Sequence, residues 1–328
     1  MNRKRLLYIH TGGTLGMTPK GDPGPLAPSD YAENVLPFVR GLEELVEIDG
    51  VAIANIDSTD MTPALWEAMA AQVADGLDRY DGFVIIHGTD TMAFTASALS
   101  FLLENLPRPV VLTGSQRPIA ALRTDARQNL LHASICATLD LPEVGICFDD
   151  ELLRGNRATK VSVQSYRAFA SPGLEPLVRM GVDLTFPTPC RRPTGPFRLR
   201  RGFSTKVVPI SLYPGAPARL IDLIVDMGAT GIVLRAFGAG NVPLDGWPEA
   251  IGRATAAGVP VVIGTQCLHG AVELGRYAGS AAAMEAGAIS AGAMTPESTL
   301  TRTMFLLGQG LDLEGFSEAW QTDFAGEI

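Results

Sequence analysis

Short apolar runs recur along the chain, each followed by a polar or Gly-rich turn and then by a stretch with helical spacing. The runs fall at residues 6–9, 51–56, 82–86, 109–112, 144–148, 207–212, 231–234 and 259–263. Several are apolar at consecutive positions, the pattern of strands covered on both faces of a parallel sheet. Residues 63–77, 92–103, 125–139 and 247–257 read as helices. The first of these has Thr62 as its candidate N-cap and Pro63 at the first helical position. Alternating strands and helices predict an α/β layered fold, with binding residues in loops at the carboxyl ends of the strands.

One segment breaks the rhythm. Residues 186–204 (FPTPCRRPTGPFRLRRGFS) carry four prolines and five arginines and show no apolar period. This reads as an inter-domain linker over 187–204, its arginines forming a solvated face. It separates a larger α/β domain with a mostly parallel sheet (1–186) from a smaller α/β domain (205–328). Residues 278–293 are rich in Ala and Gly and read as tightly packed small-residue helices.

Composition narrows the class. With 46% hydrophobic and 19% charged residues, a disordered chain is excluded. The 26 basic and 35 acidic residues give a net charge of −9, which suits no nucleic acid partner. Arg3, Lys4 and Arg5 precede an apolar run, but that run is only residues 6–9, shorter than the roughly 7–15 residues of an export signal. No stretch approaches the roughly 20 apolar residues that span a bilayer, so no membrane role is expected. Cys136, Cys147, Cys190 and Cys267 form no CxxC pair and read as small hydrophobes in a reducing compartment. The expected location is the cytoplasm.

The candidate chemistry lies at two strand ends. The first apolar run leads into Thr11-Gly12-Gly13-Thr14, and the third into His87-Gly88-Thr89-Asp90-Thr91-Met92. Each is compatible with an ordinary strand-to-helix turn, with Asp90 or Thr91 capping the helix that follows. Each also places hydroxyls at the same end of a parallel sheet, where a cluster of hydroxyls with a carboxylate is suited to attack on a carbonyl. Neither loop has the spacing of a phosphate cradle. His10, His87, His132 and His269 have no metal spacing, and His87 reads as packing beneath its loop. No metal or cofactor is expected.

These two segments resemble the two signatures of the L-asparaginase/glutaminase family. Further matching segments are 57–63 (DSTDMTP), 112–116 (LTGSQ), 154–160 (RGNRATK), 238–241 (GAGN) and 265–267 (TQC). The likeness covers nearly the whole chain and is strongest toward bacterial cytoplasmic, type I members. It implies a two-domain α/β amidohydrolase that converts L-asparagine and water to L-aspartate and ammonia. By the same resemblance Thr14 is the nucleophile that forms a β-acyl-enzyme, with Thr89, Asp90 and Lys160 around the scissile amide. Asp90 would take the substrate's α-ammonium and Ser58 its α-carboxylate, with Thr59, Gly88, Ser115 and Asn241 as further substrate-binding positions. A homodimer that pairs into a homotetramer is implied, Asn241 approaching the neighbouring subunit's site. Thr159, Arg235 and Cys267 match a regulatory asparagine site in related enzymes.

Two other readings stay open. A glutamine-using amidotransferase subunit would be closely related, although Thr14 lies early for a chain with an extra N-terminal domain. A non-catalytic amino-acid sensor would belong to another class, and the complete Thr14, Thr89, Asp90 and Lys160 set argues against it. One departure from the family is visible. Family members place a tyrosine some ten residues beyond the nucleophile, whereas residues 17–28 contain none and Tyr31 comes next. Tyr31 is expected to start a helix after Ser29.

Overall fold

In the computed structural model the described residues are 3–16, 18–19, 26–27 and 42–328. The expectation for Ser29 and Tyr31 therefore lies outside the described residues. The chain divides into two compact units, Met1–Arg200 and Arg201–Ile328.

The first unit is built on a sheet with strands β1 (Lys4–Gly12), β2 (Val46–Ile56), β3 (Gly82–Ile86), β4 (Val110–Thr113), β5 (Val144–Phe148), β6 (Glu151–Arg154), β7 (Val178–Met180) and β8 (Leu184–Thr185). Their spatial order is β8-β7-β6-β5-β4-β3-β1-β2. The pairs from β2 through β5 are parallel, and those from β5 to β8 are antiparallel. Every residue of β3 and β5 is buried, which explains their unbroken apolar runs. Helices α1 (Pro63–Gly76), α2 (Met92–Leu102) and α3 (Ala126–Thr138) connect the parallel strands. On one face, Leu6, Tyr8, Val84 and Val111 share a core cluster with Leu130, Ala133 and Ala137 of α3. In that cluster the Tyr8 hydroxyl meets the Ser134 hydroxyl at 2.5 Å, and burial pushes the phenol up to about 12.

Among the parallel strands the order is 2-1-3-4-5. The chain moves one way from β1 to β2 and the other way from β1 to β3, leaving a topological switch point between β1 and β3. Ligands of open α/β sheets bind in the crevice outside the carboxyl ends at such a point. The second unit has no reversal of this kind among its described residues. Its four strands, β9 (Val207–Ser211), β10 (Gly231–Ala236), β11 (Val261–Thr265) and β12 (Ile289–Ser290), run parallel in sequential order. Its helices are α4 (Leu220–Asp226), α5 (Trp247–Ala256), α6 (Ala278–Glu285), α7 (Pro296–Gly308) and α8 (Leu313–Trp320). In α7 the buried Arg302 donates to the carbonyls of Trp320 and Thr322 at 2.9 and 2.6 Å, and its guanidinium lies 4.6 Å from the Trp320 ring centroid. These contacts fasten the C-terminal segment to the second unit.

Several local expectations are corrected. Thr62 does sit at the N-cap of α1 before Pro63, but its side chain makes no capping bond. The Ala- and Gly-rich stretch is helical only through Glu285; Gly287, at φ +92°, breaks the helix before β12. Within the Pro- and Arg-rich segment, residues 187–200 group with the first unit. Arg198 and Leu199 pair antiparallel with Glu104 and Leu103, and Thr194 N–H donates to Asn105 Oδ1 at 3.0 Å. Its arginines are mostly exposed and ion-paired, Arg192 with Asp140 at 2.7 Å and Arg200 with Glu104 at 2.9 Å.

Candidate active site

The two sequence signatures meet at the switch point, and glycine lets them. Gly12 and Gly13 have φ of +110° and +90°, a region that side chains with a Cβ rarely enter. A Cβ on Gly13 would lie 2.4 Å from Gly88 N and 2.6 Å from Gly88 Cα. A Cβ on Gly88 would in turn lie 2.6 Å from Ser58 Oγ. The turns after β1, β3 and β2 are thus in close contact. Thr14, half-buried, opens a short 3-10 turn (Thr14–Gly16) directly after Gly13.

Lys160 organises the side chains. It sits on a two-residue strand, Thr159–Lys160, held antiparallel by Phe169–Ala170. Its Nζ donates to Thr89 Oγ1 at 2.8 Å and to Asp90 Oδ1 at 2.6 Å. The Lys160 side chain is 16% exposed and that of Asp90 57%. An ion pair this open contributes at most about 1 kcal/mol to stability. Its consequence is geometric, since the carboxylate aims the ammonium at the Thr89 hydroxyl and leaves its outer oxygen accessible. Neither Asp90 nor Thr91 caps α2. Thr91 occupies the N-cap position with no side-chain capping bond, and its hydroxyl donates to Ser58 O at 2.7 Å. The polar groups of this turn are spent across the site instead of on the helix.

The remaining positions differ in their engagement. Ser58 is buried against Gly88. Thr59 donates both its N–H and its hydroxyl to Asp57 Oδ1, each at 2.9 Å, fixing the turn. Ser115 is buried with its hydroxyl donated to Arg117 O at 2.6 Å, so it shapes the loop after β4. Thr159 is buried in the first unit. Asn241, Arg235 and Cys267 belong to the second unit. Asn241 ends a tight turn closed on Phe237, Arg235 lies near the end of β10, and the exposed Cys267 donates its N–H to Thr265 Oγ1.

Sequence reasoning missed the support behind this site. Asp125 accepts N–H bonds from Gln116 and Arg117 at 2.9 and 3.1 Å, and a third from Asn129 Nδ2 at 3.1 Å. Asn129 also donates to Gly114 O at 2.9 Å. Two polar residues spaced i, i+4 beside the buried Ala126, Leu130 and Ala133 were the available signal. Below the loop, His87 packs as its sequence context predicts. A carbonyl only accepts, so His87 Nδ1–H donates to Gly88 O at 2.7 Å. Its Nε2 then accepts from Thr95, whose hydroxyl oxygen accepts from Trp66 Nε1–H at 3.0 Å.

Burial holds both His87 and His10 down at about 4, against an ordinary 6.5. Both are therefore neutral in the fold and protonate more readily in the unfolded chain. Their contribution is complete above pH 6.5 and is lost as pH falls from 6.5 toward 4, about 3 kcal/mol for each. The melting temperature is expected to drop over that window, and His87→Gln to flatten part of the drop. A melting temperature unchanged between pH 7 and 4.5 would contradict this.

Two cavities, of about 470 and 290 Å³, lie at the opposite end of the sheet, one beside Lys4 and Val46 and the other beside Leu139 and Leu141. They are away from the strand ends that carry the hydroxyls. Among the described residues no group of three His, Cys, Asp or Glu is arranged to hold a metal ion, and no helix is long and apolar enough to cross a membrane.

Comparison with known proteins gives the same picture. Residues 5–190 match the family model described as asparaginase, N-terminal, and 206–319 match the glutaminase/asparaginase C-terminal domain. The chain is 37% identical over 338 residues to L-asparaginase 1 of Escherichia coli, covering 100% of this chain and 99% of that one. A solved structure of the thermostable L-asparaginase from Thermococcus kodakarensis superposes with a TM-score of 0.92 at 36% identity, covering 99% of each chain. A glutamyl-tRNA(Gln) amidotransferase subunit of Pyrococcus furiosus is 35% identical over 335 residues, covering 98% of this chain and 76% of its own.

Proposed function

The chain belongs to the asparaginase family, and we propose that it is an amidohydrolase that takes L-asparagine and water to L-aspartate and ammonia. The observation that carries this reading is the Lys160 ammonium bridging Thr89 and Asp90 at the switch point, in the turn whose backbone touches the Thr14 turn. A threonine hydroxyl is too weakly acidic to attack unaided, and this arrangement supplies a polarised hydroxyl and a charged nitrogen beside it.

In the proposed reaction Thr14 Oγ1 attacks the side-chain amide carbon. A C–O bond forms, and the hydroxyl proton passes to the departing nitrogen as the C–N bond breaks. Ammonia leaves and a β-aspartyl ester remains on Thr14. Water then attacks the ester and its proton returns to Thr14 Oγ1, releasing aspartate. Thr89 and Lys160 hold and redirect the proton in both halves. The exposed oxygen of Asp90 takes the α-ammonium and Ser58 the α-carboxylate. Opposite charges at a fixed separation select an amino-acid zwitterion. The proposed setting is a cytoplasmic homodimer or homotetramer in which Asn241 of one subunit approaches the neighbouring subunit's site.

The test is ammonia release from purified protein as a function of asparagine and of glutamine concentration. Preference for asparagine supports the reading, preference for glutamine favours the amidotransferase-type alternative, and release from neither favours a sensor. If Thr159, Arg235 and Cys267 form a regulatory asparagine site, the asparagine curve is sigmoidal and becomes hyperbolic in Arg235→Ala. A hyperbola for wild type, unchanged in the variant, would remove that site from the account.

A further inference from the structure

Gln116 bonds to both the Thr89 turn and the loop beyond Lys160, yet the proposed reaction assigns it no task. It follows β4 in the loop that Asp125 and Asn129 hold by its main chain. Its side chain reaches two places. Nε2 donates to Ser162 O at 3.3 Å and to Ser165 O at 3.1 Å, both in the loop that follows Lys160. Oε1 accepts from Thr89 Oγ1 at 3.4 Å, the long end of a hydrogen bond.

The orientation of this amide is forced by its partners. Backbone carbonyls only accept, so the NH2 group must face Ser162 and Ser165, and the oxygen must face Thr89. The direction of the Thr89 hydroxyl follows. Lys160 as an ammonium has only protons to give, so Thr89 Oγ1 accepts from Nζ at 2.8 Å. The single proton of Thr89 is then directed at Gln116. One lone pair meets Lys160 and the other is left to accept a hydrogen bond from water or from Thr14.

We propose that Gln116 is a positioning residue for hydrolysis, fixing which way the Thr89 hydroxyl points. The proposal rests on the amidohydrolase reading above. Without the acceptor, the Thr89 hydroxyl rotates among several directions, and only a fraction of its orientations present the second lone pair. The effect falls on the chemical step and not on substrate capture, because the Gln116 side chain bonds to Thr89, Ser162 and Ser165 rather than to Asp90 or Ser58, which take the charged groups of the substrate.

Steady-state kinetics on asparagine test it, with ammonia as the readout and wild type, Gln116→Met, Gln116→Leu and Gln116→Glu compared. Met and Leu remove the acceptor, whereas Glu keeps an acceptor oxygen at the same reach and gives up the two donor bonds. The expected result is kcat lowered about tenfold in both Met and Leu variants, with KM within about threefold of wild type. Tenfold is the scale of one lost hydrogen bond. Gln116→Glu is expected to retain kcat within about threefold. A Met or Leu variant with wild-type kcat, or a Glu variant as slow as they are, would overturn the proposal; so would a loss confined to KM. Melting curves separate a folding failure in one variant from the kinetic effect in the others. Absence of ammonia release from wild type would instead sink the parent reading and leave that failure distinguishable from this one.

Discussion

Thr14→Ala is expected to lower turnover by at least about a thousandfold while the protein stays folded. In the proposed reaction this hydroxyl is the nucleophile and its removal deletes the covalent step, and losses of this scale follow when a member of such a constellation is cut away. The substitution removes one hydroxyl and one methyl group from a half-buried position and leaves Gly12 and Gly13 to make the turn, so stability has little reason to fall. Thr89→Ala is expected to be comparably severe, because it removes the group that Lys160 and Gln116 both address. Residual activity above about a tenth in Thr14→Ala would mean that the nucleophile is misassigned.

Lys160→Met separates catalysis from stability. The Lys160–Asp90 pair is half open to solvent and worth at most about 1 kcal/mol to the fold. Its loss should therefore move the melting temperature by only a few degrees. Turnover, however, should fall at least about a hundredfold. Thr89 loses the donor 2.8 Å away that fixes its lone pair, and Asp90 loses the partner at 2.6 Å that sets its rotamer. A variant with near-normal turnover would show that Lys160 only braces the loop. A variant that is inactive because it has unfolded would leave a melting curve to say so, and would contradict the weak contribution assigned to the pair.

What was legible in the sequence follows from how each segment is buried. Gly82–Ile86 and Val144–Phe148 appear at their true bounds because both faces are covered and every position is apolar. Val46–Ile56 was read only from residue 51. It pairs with β1 alone, at the edge of the described sheet, and its early residues Glu47 and Asp49 are polar because they face solvent. The antiparallel strands β6 to β8 gave no signal, being two to four residues long and including the charged Glu151, Arg154 and Arg179.

The site divides in a similar way. The glycine–threonine loops were visible because backbone contact between strand ends demands glycine at fixed places, and Gly13 against Gly88 meets that demand. The role of Gln116 was hidden even though it lies in a segment that matches the family. Its partners are Thr89 and Ser165, 27 and 49 residues away, and no local periodicity encodes such bonds. Asp90 and Thr91 show the converse, since local rules allow either to cap the helix and tertiary partners claim both.

The central claim is that asparagine is split through an ester on Thr14, and competition between water and hydroxylamine tests it most directly. If one acyl-enzyme lies on the path, wild-type protein given asparagine and protein given the β-methyl ester of aspartate pass through the same ester. At a fixed hydroxylamine concentration both substrates must then yield the same ratio of β-aspartyl hydroxamate to aspartate. Ratios that differ with the leaving group would contradict a shared acyl-enzyme and, with it, the mechanism assigned to Thr14.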